Sequence, residues 1–326
     1  MTQRLINTFR LPAALSLPRL CVLVPSSCIF WRFCFFASIV WAGGRPLLVL
    51  GQASSIDPNE LVLRAVERAV WGPSISYRVR QASIWGNHRA LFEGRYWQMG
   101  GGTGQLKLEM AYESGDEKGT FLQISDGRLV WTNLGAGEGP RRVYLDRVRE
   151  SLGGLVRQPA VQAEASLYLA IGGHAEVMRC LYTRYRWYKV FAGIDDRGRE
   201  VWQLLGTLRT EPPALYAKTT VDGLLLVRAP NPEIPSHVRL TLGRDEKWKL
   251  IPFKIDYYRR LKEESDEPGK LARVSTIEND ELVSPVELAA DFFDYRVSDD
   301  ADRIDDETNG YLPLHPQAAL PAPTRR

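Results

Sequence analysis

The feature that most constrains this chain is a change of hydrophobic period at Gly72-Pro73. Before it, Asp57 to Val70 places apolar residues at helical spacing, with Asp57 as a capping residue and Pro58 in the first turn. After it, apolar and polar residues alternate, most clearly from Leu106 to Tyr112. Alternation is typical of strands with one buried face. The sequence therefore predicts an amphipathic helix followed by β-strands.

Short turns join these strands, so we expect them to pair as an antiparallel meander. Phe121–Ser125 and Arg128–Thr132 flank Asp126-Gly127, a dipeptide that suits the positive φ angles of a type I′ turn. Gly100–Gly104 lacks the Lys-Ser/Thr ending of a phosphate-binding loop and is predicted to be a hairpin loop. Parallel strands need long crossover connections, which this part of the chain lacks.

The second half of the chain returns to helix and then to strands. Residues 160–184 have helical spacing, and Gly172-Gly173 divides them into two helices. Further strands are predicted at Tyr185–Ile194, Glu200–Arg209, His237–Leu242, Trp248–Tyr258 and Leu271–Ile277, with Val286–Val297 as a closing strand. The fold class is therefore mainly β (α+β), with a curved antiparallel sheet and helices over one face.

The first 53 residues differ in composition from the rest of the chain. They hold five of the 42 basic residues and none of the 39 acidic residues, so the net charge of +3 arises entirely there. Phe33–Val40 is a short apolar run preceded by arginines, as in a signal peptide, and Gly51-Gln52-Ala53 fits cleavage after Ala53. The alternative is an uncleaved anchor, although Arg45 interrupts a run shorter than the roughly 20 residues of a spanning helix. We expect an exported protein.

The remaining chain is slightly acidic, which argues against a nucleic-acid partner. Its single cysteine, Cys180, excludes an internal disulfide and lies in an apolar helical stretch, as a core residue does. The four histidines have no metal-ligand spacing, so no metal and no cofactor are predicted. The sequence also has no nucleophile elbow.

Four local motifs accompany the order of one helix, four to five strands, helices and more strands. They are Trp71-Gly72-Pro73, Gly94-Arg95-Tyr96-Trp97, Ser125–Trp131 and Phe292-Phe293-Asp294-Tyr295. Over about Asp57–Val297 the chain resembles the bacterial outer-membrane lipoprotein-carrier superfamily, the LolA/LolB-like proteins. The resemblance implies an unclosed β half-barrel with a helical lid, in the periplasm or cell envelope, that binds acyl chains of lipoproteins in transit.

The resemblance gives a domain division of three parts. These are a signal peptide or anchor at 1–53, a LolA-like lipid- or lipoprotein-binding domain at 54–297, and an acidic, then proline-rich tail at 298–326. The family's basic-then-aromatic pair in the third strand is absent, because Leu106-Lys107-Leu108 stands there. An arginine latch between lid and barrel is therefore not carried over to this chain.

Alternating large side chains supply the candidate ligand-binding residues. The candidates for an apolar cavity wall are Tyr77, Val79, Phe92, Tyr96, Leu106, Leu108, Met110, Phe121 and Trp131. The same residues would face the core of any antiparallel sheet with one buried side, and the alternation leaves open which face is inside.

Three functions remain open from the sequence. The first is a non-catalytic carrier whose partner is an acylated lipoprotein or lipid, with membrane contact through the N-terminal segment. The second is a membrane-tethered sensor or scaffold module on the same fold. The third is an exported hydrolase, because a catalytic pair of carboxylates is a spatial arrangement that no sequence spacing excludes.

Overall fold

A computed structural model describes residues 56–85, 88–133, 139–153, 162–210, 234–261, 269–295 and 304–312. Within these ranges the chain is mainly β, with one unclosed sheet of twelve strands and four α-helices, which confirms the predicted fold class. The predicted signal segment, its cleavage site after Ala53 and most of the predicted tail lie outside these ranges.

The elements follow the predicted order. The helices are α1 (Pro58–Trp71), α2 (Leu145–Leu152), α3 (Gln162–Leu169) and α4 (Gly173–Arg184). The strands are β1 (Ile75–Trp85), β2 (His88–Gln98), β3 (Gln105–Ser114), β4 (Glu117–Asp126), β5 (Leu129–Asn133), β6 (Arg141–Tyr144), β7 (Tyr185–Ile194), β8 (Glu200–Leu208), β9 (His237–Gly243), β10 (Pro252–Arg260), β11 (Leu271–Val283) and β12 (Asp305–Asp306).

Two antiparallel meanders make up the sheet. The strand order is β12-β6-β5-β4-β3-β2-β1-β11-β10-β9-β8-β7, so the first and last long strands of the chain, β1 and β11, join the two meanders. Only the short β12 pairs in parallel, with β6, among the described pairs. We call the face covered by α1, α3 and α4 the inner face, and the opposite one the outer face.

The Asp126-Gly127 hairpin is present, but it is not a type I′ turn. The last pair is Ser125 with Val130, so four residues lie between the paired residues of β4 and β5, and only Gly127 among them has a positive φ angle, of 91°. The Asp126 carboxylate accepts hydrogen bonds from the backbone N–H of Arg128 (2.7 Å) and Leu129 (2.9 Å). The side chain thus closes a longer loop, as aspartate does in Asx turns.

The predicted closing strand at Val286–Val297 is wrong. Its described part, up to residue 295, contains a 3-10 helix at Ala290–Phe293 and crosses the outer face beside β3 and β4. Both adjacent phenylalanines, Phe292 and Phe293, pack against the rest of the protein. The ring of Phe292 lies 5.3 Å from that of Trp97, and Phe293 is only 2% exposed. A strand would point these neighbours to opposite faces, so the aromatic pair favours a helical turn.

Two main apolar clusters fill the inner face. The larger one joins α1, α3 and α4 to strands β7–β10, and includes Val62, Met178 and Trp187. The second is formed largely by the inner residues of β1–β4. The side chain of Asn59 fixes the start of α1 to the edge strand, because it both accepts from the Trp187 N–H (3.1 Å) and donates to the Trp187 carbonyl (3.0 Å).

Candidate functional site

A cavity of about 70 Å³ lies between the inner face of the sheet and the first turn of α4. Strands β1 to β4 form one wall, and Ile255 of β10 and Ile277 of β11 extend it. Gly173, His174 and Val177 of α4 cover it from the other side. The cavity therefore lies where the second apolar cluster meets the first turn of α4.

Seven of the nine candidates from the sequence lie on this wall. They are Tyr77, Val79, Phe92, Tyr96, Leu108, Met110 and Phe121. Leu106 is buried in the same cluster, but does not line the cavity. The inner face is thus the face that carries the large alternating side chains of β1–β4.

Trp131 lies on the outer face. Gln123 pairs with Thr132 and points inward, since its Oε1 atom accepts a hydrogen bond from the Gly173 N–H at 2.6 Å. Trp131 pairs with Ile124, one residue out of phase, and its ring lies 5.8 Å from that of Tyr295. A shift of one residue along a strand exchanges the two faces, so Trp131 packs under the segment that crosses the outer face.

A chain of polar contacts links α4 to the sheet and to α1. The Tyr77 hydroxyl and the Nδ1 atom of His174 are 2.6 Å apart, and the rings of Tyr77 and Tyr96 are 4.9 Å apart. The Tyr96 hydroxyl donates to Oε1 of Gln98 at 2.7 Å, and Nε2 of Gln98 donates to the carbonyl of Ala69. These contacts fix the first turn of α4 over the cavity.

The polar groups in the cavity are neutral near pH 7. Burial lowers the pKa of His174 to about 4 and raises the pKa values of Tyr77 and Tyr96 above the ordinary tyrosine value. Gln81 and Asn279 also line the cavity and carry no charge. An apolar wall with neutral polar groups favours a hydrocarbon ligand over an ionic one.

Two glycines allow α4 to start this close to the sheet. Gly172 and Gly173 have φ angles of 77° and 52°, in the left-handed region. A Cβ atom on Gly173 would lie 2.4 Å from Cε2 of Tyr96. In the sequence, the glycine pair indicates a helix break. Its second role is to bring His174 to the cavity, and that role depends on the close approach of Gly173 to the Tyr96 ring.

Sequence reasoning missed the residues that other elements contribute. His174 and Val177 come from α4, and Ile255, Ile277 and Asn279 come from strands that reach the cavity through the β1–β11 pairing. One local signal was available: Gln81 is a polar residue at an inward position of β1. Polar residues on an otherwise apolar strand face are candidates for a site.

A smaller cavity of about 20 Å³ lies on the other side of the Tyr77–His174 pair, which lines both cavities. Arg68 of α1, Gln98 of β2 and Ser284 are its polar lining residues besides that pair. The two cavities together follow β1, from Ile75 in the small cavity to Gln81 in the large one.

No helix in the described ranges is long and apolar enough to cross a membrane. No group of three or more His, Cys, Asp or Glu side chains in this part of the chain is arranged to hold a metal ion.

No protein-family model and no curated protein matches this sequence. Solved structures do match. One is MucB in complex with MucA(peri), at 13% identity and a TM-score of 0.35; the match covers 73% of this chain and 60% of that one, so this chain spans less than two thirds of its length. Another is LprF from Mycobacterium bovis, at 9% identity and a TM-score of 0.33, covering 76% of this chain and 100% of that one.

A third matched structure is the LolA superfamily protein NE2245 from Nitrosomonas europaea, at 12% identity and a TM-score of 0.25. This match covers 74% of the chain and 99% of the other protein. The superfamily that the sequence motifs resemble is thus represented among the structural neighbours of this chain.

Proposed function

We propose that this protein is an exported, non-catalytic binding protein that holds acyl chains of a lipid or lipoprotein between the sheet and α4. The observation that carries the proposal is the cavity itself, whose wall is formed by aliphatic and aromatic side chains and by polar groups that stay neutral. Such contacts are non-directional, so they favour a chain of methylene groups without selecting one conformation.

The energetics of transfer fit a carrier. Each buried methylene gains about 0.8 kcal/mol, so a sixteen-carbon chain gains on the order of 12 kcal/mol on leaving water. A protein that accepts the chain from a membrane must offer similar apolar surface. A protein that also releases it must not bind it much more tightly than the acceptor does, which non-directional contacts permit.

The present cavity is the closed form of this site. Its volume of about 70 Å³ is smaller than the roughly 150 Å³ cavity that binds benzene in an engineered protein. An acyl chain therefore requires α4 to move away from the sheet. The Tyr77–His174 and Gln123–Gly173 hydrogen bonds oppose this movement, and each contributes only about 0.5–1.5 kcal/mol net. For a chain that leaves water, the gain from burial exceeds the contribution of these two hydrogen bonds.

The composition of the first 53 residues supports an exported location for this activity. Cleavage near Ala53 would release a soluble carrier, whereas a retained segment would tether it to the membrane. In either form the partner is a membrane lipid or an acylated lipoprotein, in a periplasmic or cell-envelope compartment.

The test is to purify the exported protein, extract it with organic solvent and identify bound lipid by mass spectrometry. We expect lipid in the wild type, and much less in Met110→Arg, which places a charge on the cavity wall. Ala111→Arg is the matched control, because Ala111 is the exposed neighbour of Met110 on β3.

Val177→Trp covers the case in which Met110→Arg fails to fold, because it fills the cavity from α4 without a charge. It should also reduce bound lipid. An empty wild-type protein, with no thermal stabilisation by any added lipid, would overturn the proposal.

A further inference from the structure

The two cavities lie on either side of the Tyr77–His174 pair and differ in chemistry. They share Tyr77 and His174, and β1 runs beside both from Ile75 to Gln81. Six residues of strand span about 20 Å. The large cavity is apolar over most of its wall, whereas the small one contains a cationic side chain, Arg68.

Arg68 differs from the neighbouring arginine of α1. Arg64 is exposed and pairs with Glu60 one turn earlier. Arg68 is half-buried, and within the described part of the chain its guanidinium has no ion pair or hydrogen bond. Burial lowers the pKa of Arg68, and Glu246 opposes this only by long-range attraction. A partly desolvated cation without a partner is stabilised by a bound anion.

The other polar groups of the small cavity complement an anion. Nε2 of Gln98 uses one hydrogen for the Ala69 carbonyl and retains a second. Together with the guanidinium of Arg68, it supplies N–H donors to the small cavity, across the Tyr77–His174 pair from the largely apolar one. The volume of about 20 Å³ holds one or two water-sized groups, at roughly 10–15 Å³ each. A carboxylate matches that size.

We infer that the ligand is a single-chain amphiphile with a carboxylate headgroup, such as a long-chain fatty acid. The carboxylate binds Arg68 in the small cavity, and the hydrocarbon chain passes Tyr77 and His174 into the large cavity. This inference rests on the proposed function, and it adds the headgroup class and the direction in which the ligand lies.

The test compares two ligands of equal chain length, palmitate and hexadecanol, on the purified full-length protein. Each displaces N-phenyl-1-naphthylamine, an uncharged fluorescent reporter of apolar cavities, and the displacement curves give the affinities. We expect wild type to prefer palmitate, and Arg68→Gln to lose about tenfold in palmitate affinity with unchanged hexadecanol affinity. Arg64→Gln is the matched control on the same helix and should leave both affinities unchanged.

The outcomes separate the inference from the proposed function. Equal affinity of the wild type for the two ligands, or an equal loss for both in Arg68→Gln, would overturn the headgroup assignment and leave the acyl cavity standing. Failure of both ligands to displace the reporter would overturn the proposed function and the inference with it. Thermal unfolding of Arg68→Gln checks that the variant is folded, and Arg68→Lys, which keeps the charge, should restore part of the preference.

Discussion

Replacing Tyr77 by phenylalanine tests whether α4 is a lid. The Tyr77 hydroxyl and Nδ1 of His174 lie 2.6 Å apart in the closed form, where Tyr77 is buried and His174 is half-buried. Tyr77→Phe keeps the ring and its contact with Tyr96, whose centroid is 4.9 Å away, and removes only the hydroxyl. The imidazole then has a buried nitrogen without its partner.

The expected change in the equilibrium between the closed and open forms follows from which form loses the hydrogen bond. A buried polar atom that loses its hydrogen-bond partner costs about 1–3 kcal/mol. In an open form both groups would meet water, so only the closed form is destabilised. With tenfold per 1.4 kcal/mol, the ratio of closed to open protein falls by about 5- to 150-fold. If ligand enters only the open form, its apparent affinity rises by up to the same factor.

Two measurements on the same protein are needed. Titration with N-phenyl-1-naphthylamine should show tighter binding to Tyr77→Phe than to wild type, while urea unfolding should show a loss of about 1–3 kcal/mol in the free energy of unfolding. Tyr188→Phe serves as control, because Tyr188 is 47% exposed on the edge strand, and should leave both quantities unchanged. Lower stability with unchanged or weaker binding would refute the lid, since the hydrogen bond would then stabilise the fold without limiting entry.

Three further predictions follow from the same geometry. Burial lowers the pKa of His174 from 6.5 to about 4, so the closed form is fully stable above about pH 6.5 and loses stability as the pH falls towards 4. At pH 5 the loss is about 2 kcal/mol, so reporter binding should be tighter at pH 5 than at pH 7.5. Gly173→Ala should destabilise the protein by about 2 kcal/mol or more in urea, because of its φ angle of 52° and the contact with Tyr96, whereas Gly193→Ala, whose Cβ meets nothing within 4 Å, should not. Trp131→Ala should reduce the free energy of unfolding by about 1–3 kcal/mol and leave ligand affinity unchanged, and a change in affinity would place Trp131 at the cavity.

The elements that local pattern determines were predictable from the sequence. The alternation in β1–β4 gave both the first meander and the side chains of one cavity wall, because the residues that alternate are close in sequence and pair through short turns. The capped start of α1 and the break at Gly172-Gly173 followed from residues whose preferences are strong on their own, such as Asp57 and glycine.

The parts that depend on distant contacts were not predictable. β11 pairs with β1 about 200 residues away in sequence, and no local signal determines that pairing or brings Asn279 to the cavity. Trp131 fits the alternation of apolar residues along β5. The loop at Asp126 sets the register in which β5 pairs with β4, and this register decides on which face of the sheet Trp131 lies. The segment before Tyr295 crosses the outer face because its aromatic residues find Trp97 and Trp131 there.

The cavity arises from the number of helices rather than from the size of its lining residues. At about 4.8 Å per strand the twelve-stranded sheet is wider than the four helices, each about 10 Å across, can cover. α1 and most of α4 pack on β7–β10, in the cluster that contains Val62 and Met178, whereas the first turn of α4 covers the large cavity and the last turn of α1 contacts β2 through the Ala69 carbonyl. The large cavity on the inner face of β1–β4 is therefore covered by the first turn of α4, which a ligand can displace without disturbing the larger cluster. A bulkier wall residue should accordingly shrink the cavity without removing the site, whereas a change at Gly173 or His174 alters its closure.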